Sequence, residues 1–230
     1  MAWRDGRAVS GALIRTHEGV TLAGAGAFTA AGLRLALGHA PHLVAADGGA
    51  DRVMRHGHTP RAVIGDLDSL SDGARTRLGA RVHHLPDQDS TDFDKALRSI
   101  DAPFVIALGF TGGRLDHTLG AFNTLARHPA RRCVLLAGGD LCFVAPRALD
   151  LGLRRGMRLS LFPMGAVSGR STGLRWPIDG LDFAPDAVIG TSNEVTDPDV
   201  ALRFSGRGML VILPRGALGP VLAALGAARG

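Results

Sequence analysis

Apolar runs alternate with helix-like segments between residues 19 and 145 of the chain. The runs VTLAGAG, HLVAAD, AVIGD, RVHHLP, FVIALG and CVLLAGG are short and bounded by glycine or polar residues, which predicts β-strands. The segments LRLALGH, ADRVMRHG, SDGARTRL, TDFDKALRSI and LDHTLGAFNTLARH repeat apolar positions at three and four residues, which predicts helices. Alternation of this kind is typical of a mainly parallel sheet with helices on both faces.

The pattern changes near Leu151 to runs with a period of two: MRLSLFPM, STGLRW, AVIGTSNEV, DVALRFSG and GMLVILP. Such runs, separated by turn residues, predict an antiparallel β-sandwich. We therefore expect an α/β domain in residues 1–148, with a loose N-terminal extension, and a smaller all-β sandwich domain in residues 149–230. The final segment, LGPVLAALGAARG, fits either a short helix or a frayed tail.

Composition narrows the class of protein. The net charge is +5 and the pI about 10.7, but arginines are scattered and no run of Lys or Arg exceeds two residues, which argues against a nucleic-acid partner. Cys133 and Cys142 lie in apolar runs without metal-ligand or disulfide spacing. No apolar stretch has the length of a signal peptide or a membrane helix, so we expect a cytoplasmic protein with no membrane partner.

Polar clusters follow the predicted strands, where ligands of parallel sheets bind. Asp47, Gly48 and Gly49 follow the second strand, and paired glycines let a ligand approach the backbone, although Asp-Gly is also a common turn. Asp66 and Asp68 follow the third strand. In an extended backbone their carboxylates project to one side about 6–7 Å apart, which indicates either a magnesium site or a solvated turn.

The fourth strand runs into a helix whose first turn is acidic. Ser90 or Thr91 is the predicted N-cap, and acidic residues there suit the helix dipole. Asp92 and Lys95 are three residues apart on one helix face. We interpret Asp92 as a metal carboxylate and Lys95, the only lysine of the chain, as a phosphate-binding charge; the alternative is an ordinary ion pair within the helix.

The fifth strand leads to another helix start. Gly112 and Gly113 offer backbone N–H groups to anionic oxygens, and Arg114 offers a guanidinium fork for phosphate. Asp116 either orients Arg114 or His117, or binds substrate. His117 is either a substrate contact or a structural residue.

Taken together, the ordered motifs DGGA, GDLDS, DQDSTDFDK and GGRLDH resemble those of thiamine pyrophosphokinases. The resemblance continues in the second domain with STGLRW at 171–176 and TSNE at 191–194, and departs from the family pattern at Pro177. It implies an α/β catalytic domain joined to a β-sandwich, ATP and thiamine as substrates with AMP as a product, Mg²⁺ as cofactor, and a homodimer with active sites between subunits.

The resemblance also implies roles for individual residues. The implied metal ligands are Asp66, Asp68 and Asp92, which form the catalytic set together with Arg114. The implied ATP and phosphate contacts are Asp47, Gly48, Gly49, Gln88, Thr91, Lys95, Gly112, Gly113 and Arg114. The implied thiamine contacts are Asp116, His117, Trp176, Ser192 and Asn193. A flat aromatic face such as that of Trp176 suits a cationic heterocycle.

Three alternatives stay open from the residues alone. Gly24-Ala25-Gly26 after a strand, with Asp47 ending the next strand, resembles a nicotinamide-binding pattern, but Thr29 occupies the third glycine position. A diphosphokinase acting on another hydroxymethyl heterocycle, such as a reduced pterin, shares the same catalytic residues. A nucleotide or thiamine sensor is the non-catalytic alternative, which the number of carboxylates disfavours.

Overall fold

The structure is a computed structural model that describes residues 12–87 and 89–226. By internal contacts the chain divides into two compact units, residues 1–131 and residues 132–230. The predicted functional division at residues 148 and 149 remains a prediction. No helix among the described residues is both long and apolar enough to cross a membrane.

The first unit is built on parallel strands. Its strands are β1 (Ile14–Arg15), β2 (Val20–Ala23), β3 (His42–Ala46), β4 (Ala62–Gly65), β5 (Val82–His84), β6 (Ile100–Asp101) and β7 (Val105–Leu108). The main sheet has the order β7-β2-β3-β4-β5, and each neighbouring pair is parallel. Strands β2, β4 and β7 are buried along their whole length, which explains their continuous apolar sequences.

Helices alternate with these strands, as the sequence predicts. They are α1 (Ala30–His39), α2 (Gly49–Arg55), α3 (Asp72–Leu78), α4 (Asp92–Arg98) and α5 (Leu115–Arg127). Thr29, Ser71 and Thr91 are the N-caps of α1, α3 and α4, and the hydroxyl oxygen of each accepts a hydrogen bond from a backbone N–H in the first turn. The prediction of an N-cap at Ser90 or Thr91 is therefore resolved in favour of Thr91.

The second unit consists of antiparallel sheets. Its strands are β8 (Cys133–Ala137), β9 (Asp140–Val144), β10 (Ala148–Gly152), β11 (Arg158–Pro163), β12 (Val167–Thr172), β13 (Asp182–Phe183), β14 (Gly190–Glu194), β15 (Asp199–Phe204) and β16 (Met209–Pro214). One set has the order β14-β11-β16-β9-β8 and the other β10-β15-β12-β13. The predicted fold class, an α/β unit followed by an all-β unit, is confirmed.

Two local features differ from the sequence expectations, and a third decides between two alternatives left open. Only the first two residues of STGLRW lie in a strand, because β12 ends at Thr172 and Gly173 has a φ of +78°. Strand β9, in a segment to which the sequence analysis assigned no element, forms an antiparallel hairpin with β8. The C-terminal segment forms a short helix, α6 (Leu218–Ala224), which packs against β10.

Gly49 shows why one of the paired glycines after β3 is required. A Cβ atom at Gly49 would lie 2.1 Å from the carbonyl oxygen of Ala23, so α2 and the end of β2 can pack this closely only without a side chain. The missing side chain therefore makes room for the protein's own backbone.

We expect Gly49→Ala to lower the free energy of unfolding by about 1–3 kcal/mol because the methyl group overpacks this contact. Urea denaturation measures the change. The control is Gly38→Ala in α1, where nothing lies within 4 Å of an added Cβ, and it should raise stability by about 0.5–1 kcal/mol. A Gly49→Ala variant as stable as the wild type would contradict the packing argument.

Candidate active site

Carboxylates from two neighbouring strand ends meet in the first unit. Asp47 follows β3, and Asp66 and Asp68 follow β4; one oxygen from each lies within 4.8 Å of the others. Strands β3 and β4 are paired, and the Asp47 N–H continues this pairing by donating to the Ile64 carbonyl oxygen at 3.1 Å. The parallel sheet thus brings residues about 20 positions apart in sequence to one edge. We call Asp47, Asp66 and Asp68 the acidic trio.

The chain between Asp66 and Asp68 turns. Leu67 has a φ of +68°, a left-handed conformation that costs roughly 1–2 kcal/mol for a residue with a side chain. Its side chain is buried in an apolar cluster, and Arg75 Nη2 donates to its carbonyl oxygen at 3.1 Å, so burial and this hydrogen bond hold the turn. The backbone between the two residues is therefore not extended: the two carboxylates approach each other through a strained turn.

Asp47 is the buried member of the acidic trio. It is 4% exposed and has a φ of +45°. The N–H of Ser69 donates to Asp47 Oδ2 at 3.1 Å, whereas Asp47 Oδ1 is buried without a hydrogen-bond partner among the described residues. Burial, together with the charge of Asp92, raises the pKa of Asp47 from 3.8 to about 6. Such an oxygen would gain a partner if a cation bound to the trio.

Lys95 is buried beside the acidic trio and contacts its member Asp66 and the neighbouring Asp92. Its side chain is 1% exposed, and Nζ lies 2.8 Å from Asp66 Oδ2 and 3.2 Å from Asp92 Oδ1. Asp92 Oδ1 also accepts a hydrogen bond from the Asp66 N–H at 3.3 Å. Burial opposes the charged amine, but the two carboxylates outweigh it and raise the pKa of Lys95, so this single cation offsets the local negative charge.

A second buried carboxylate anchors the helix that carries Asp92 and Lys95. Asp94 is 2% exposed; His128 Nε2 lies 2.7 Å and Arg127 Nη1 3.3 Å from its Oδ1. Burial alone would raise the pKa of Asp94, but His128 and the nearby arginines lower it. This ion-pair group fixes α4 to the end of α5, and with it the position of Lys95.

The glycine pair before α5 is open. Gly112 has a φ of +79°, and nothing lies within 4 Å of a Cβ placed at Gly112 or Gly113. The Arg114 guanidinium faces the carboxylate of Asp116, with Nε 3.1 Å from Oδ1, and the backbone N–H of His117 donates to the same oxygen at 2.9 Å. Asp116 therefore contacts both Arg114 and the backbone of His117, and its role in substrate binding remains a prediction.

The remaining predicted substrate residues lie in the second unit. Trp176 is 54% exposed, and the Arg175 guanidinium carbon lies 5.0 Å from its ring centroid. Ser192 is exposed and has a φ of +62°, and its N–H donates to Ser160 Oγ at 3.0 Å. Asn193 is buried and directs its amide at the backbone of Trp176. Gln88 lies outside the described residues.

Both units match descriptions of one protein family. Residues 33–135 match the thiamin pyrophosphokinase catalytic domain, and residues 149–207 match the thiamin pyrophosphokinase vitamin B1 binding domain. Thiamine pyrophosphokinase 1 of Oryza sativa subsp. japonica is 32% identical over 194 residues, which cover 69% of this chain and 74% of that protein. The chain belongs to the thiamin pyrophosphokinase family. Thiamin pyrophosphokinase 1 of Caenorhabditis elegans is 29% identical over 186 residues, or 72% of this chain and 76% of that protein.

Solved structures of thiamin pyrophosphokinases share the fold. The enzyme from Candida albicans superposes with a TM-score of 0.73 at 15% identity, covering 93% of this chain and 98% of that one. The family assignment does not favour the nicotinamide or pterin alternatives. A Cβ atom at Gly24 or Gly26 would clash with the carbonyl oxygen of Gly109. The glycines of the Gly24-Ala25-Gly26 segment therefore allow the ends of β2 and β7 to pack closely.

Two features of the site were not expected from the sequence. Asp47 joins the acidic trio, whereas the sequence assigned it to nucleotide binding. Asp92 contacts Lys95 and, in a contact that the sequence did not indicate, the Asp66 backbone; its role as a metal ligand remains a prediction. The signal for Asp47 was its place at the end of the strand next to β4, since neighbouring parallel strands end at the same edge.

The raised pKa of Asp47 should lower the stability of the metal-free protein at neutral pH. A carboxyl group with a folded pKa near 6 and an unfolded pKa near 3.8 costs stability as pH rises between these values. Asp47→Asn removes this cost, so in EDTA at pH 7 the variant should unfold at higher urea concentration, with a gain of about 1–3 kcal/mol.

The gain should shrink as pH falls from 6 toward 4, because the wild-type carboxyl group is then protonated in the folded state. Asp101→Asn, at an exposed strand position, is the control and should change stability by less than about 0.5 kcal/mol. A less stable Asp47→Asn variant in EDTA at pH 7 would contradict the electrostatic account.

Proposed function

We propose that this chain is a thiamine pyrophosphokinase that transfers a diphosphoryl group from ATP to the hydroxyl group of thiamine, releasing AMP. The family match of both units supports the thiamine substrate. The observation that carries the proposal is the acidic trio, in which one Asp47 oxygen has no hydrogen-bond partner among the described residues. Diphosphoryl transfer needs a divalent cation to neutralise phosphate charge, and such a trio could hold that cation.

We infer that Asp47, Asp66 and Asp68 would hold Mg²⁺. Their oxygens are the ligand type that Mg²⁺ prefers, and a site with few protein carboxylates leaves room for water and substrate phosphates. When bound, the ion would supply charge neutralisation at the phosphate oxygens. In this arrangement Asp92 and Lys95 act together: the ammonium group holds Asp66 and Asp92 near each other despite their like charges.

The phosphate contacts are proposed for groups at the helix starts. The open backbone at Gly112 and Gly113 suits an anionic ligand, and Arg114 would exchange its exposed pairing with Asp116 for phosphate at little cost, since exposed ion pairs are weak. Thr91 is the N-cap of α4 and therefore lies at the start of that helix. Asp47, Gly48, Gly49, Gln88 and Lys95 complete the proposed ATP-binding set.

Thiamine is proposed to lie against the exposed indole of Trp176, with Ser192 beside it. Asp116 and His117, which belong to the α/β unit, are proposed to contact thiamine as well. We propose a homodimer in which each active site combines the α/β unit of one subunit with the β unit of its partner. The thiamine hydroxyl would attack the β-phosphorus in line, and one of Asp66, Asp68 or Asp92 would accept its proton. Positioning by these residues would supply much of the rate.

We also propose a cytoplasmic location for the enzyme. Cys133 and Cys142 are both buried and unpaired, and free thiols are typical of a reducing compartment.

The test is AMP release from ATP. The purified enzyme should release AMP only when thiamine and Mg²⁺ are both present, and a reduced hydroxymethylpterin should not replace thiamine. Asp68→Asn should lower kcat at least about 100-fold with an unchanged circular dichroism spectrum, because it removes a carboxylate proposed to hold Mg²⁺. Asp101→Asn is the control and should keep wild-type kcat. Thiamine-independent AMP release, or wild-type turnover in Asp68→Asn, would contradict the proposal.

A further inference from the structure

Trp176 is exposed, yet its backbone N–H and carbonyl oxygen both form hydrogen bonds with one buried side chain. Asn193 is 7% exposed. Its Oδ1 accepts a hydrogen bond from the Trp176 N–H at 3.2 Å, and its Nδ2 donates to the Trp176 carbonyl oxygen at 2.6 Å. The same Oδ1 accepts from the Glu194 N–H at 2.8 Å. Every polar atom of the Asn193 amide is thus used within the chain.

This contact continues a strand pairing that the backbone alone does not complete. Leu174 bridges Val195, and the Arg175 N–H donates to the Glu194 carbonyl oxygen at 2.8 Å, as in an antiparallel ladder. The next position is Trp176, which is followed by Pro177. Proline has no N–H group and ends such a ladder. At Trp176 the amide of Asn193 supplies the donor and the acceptor that a partner strand would supply.

The backbone of β14 turns so that Asn193 reaches this position. Asn193 pairs with Leu159 of β11, and the register shifts between Leu159 and Leu161. Ser192, immediately before it, has a φ of +62° and donates its N–H to Ser160 Oγ at 3.0 Å. A left-handed residue held by a buried serine hydroxyl fixes the direction of the following side chain.

We propose that Asn193 is a positioning residue that presents the Trp176 indole to the substrate, and that it does not touch the substrate itself. The inference rests on the proposed function for the identity of that substrate, a cationic heterocycle. It replaces the direct thiamine contact expected for Asn193, because the amide is buried, its Oδ1 already accepts two hydrogen bonds and its Nδ2 already donates to the Trp176 backbone. A primary amide is required, since a carboxylate offers no donor to the Trp176 carbonyl oxygen.

The first readout needs no substrate. The chain has two tryptophans, so Trp3→Phe leaves Trp176 as the only fluorescent indole. In that background Asn193→Asp should raise acrylamide quenching of Trp176 about twofold and shorten its rotational correlation time. The control is Asn123→Asp, the same chemical change at an exposed position on α5, which should change neither value. Unchanged quenching and rotation in Asn193→Asp would overturn the proposal.

The second readout is kinetic. Loss of the hydrogen bond from Asn193 Nδ2 to the Trp176 carbonyl oxygen should raise KM for thiamine about tenfold in Asn193→Asp. KM for ATP should stay within about twofold of the wild-type value. In a Trp176→Ala background the same substitution should add less than about twofold to KM for thiamine, because Asn193 acts through the indole. Additive effects would show a direct substrate contact and overturn the proposal.

A third measurement uses the wild type and is independent of whether the variants fold. The Trp176 amide, which donates to a buried side chain, should exchange with deuterium at least about 100-fold more slowly than an unprotected amide. Exchange at the unprotected rate would overturn the proposal. If thiamine proves not to be a substrate, the kinetic readout fails for every variant, whereas the fluorescence and exchange readouts still decide whether Asn193 holds Trp176.

Discussion

Repulsion among carboxylates at the ends of β3 and β4 is the constraint on which the site depends. Asp47, Asp66 and Asp68 place oxygens within 4.8 Å of one another, and Asp92 lies beside them. Like charges at such distances raise the free energy of the folded chain unless a cation offsets them. Lys95 supplies one positive charge from a fully buried position, while burial and the charge of Asp92 still raise the pKa of Asp47.

The fold maintains this arrangement through contacts outside the trio. Asp94 and His128 fix the helix that carries Lys95, a packed apolar cluster holds the strained turn at Leu67, and Gly49 allows α2 to approach β2. The site therefore stores strain and charge that the surrounding packing must offset, which is common where binding geometry is set in advance. In the second unit, Asn193 has a comparable part: a buried polar side chain fixes an exposed functional one.

Much of the fold follows from the sequence because its main strands are buried on both faces and therefore read as apolar runs. Strands β1 and β6 are two residues long and carry too little pattern to be predicted. The turn at Leu67 has no glycine to signal a positive φ, since tertiary packing imposes that conformation. The residues of the acidic site could be named from their motifs, but that Asp47 lies beside Asp66 and Asp68 depends on the strand order, which the sequence does not state.

The most direct test of the account is the position of a divalent ion in crystals. Crystals grown with Mn²⁺ in place of Mg²⁺ and a non-hydrolysable ATP analogue would locate the ion by its anomalous scattering. The account predicts an anomalous peak about 2.0–2.5 Å from carboxylate oxygens of Asp47, Asp66 and Asp68, with the analogue's phosphates on its open side. A peak away from these three residues, or Asp47 left without contact to the ion, would contradict it.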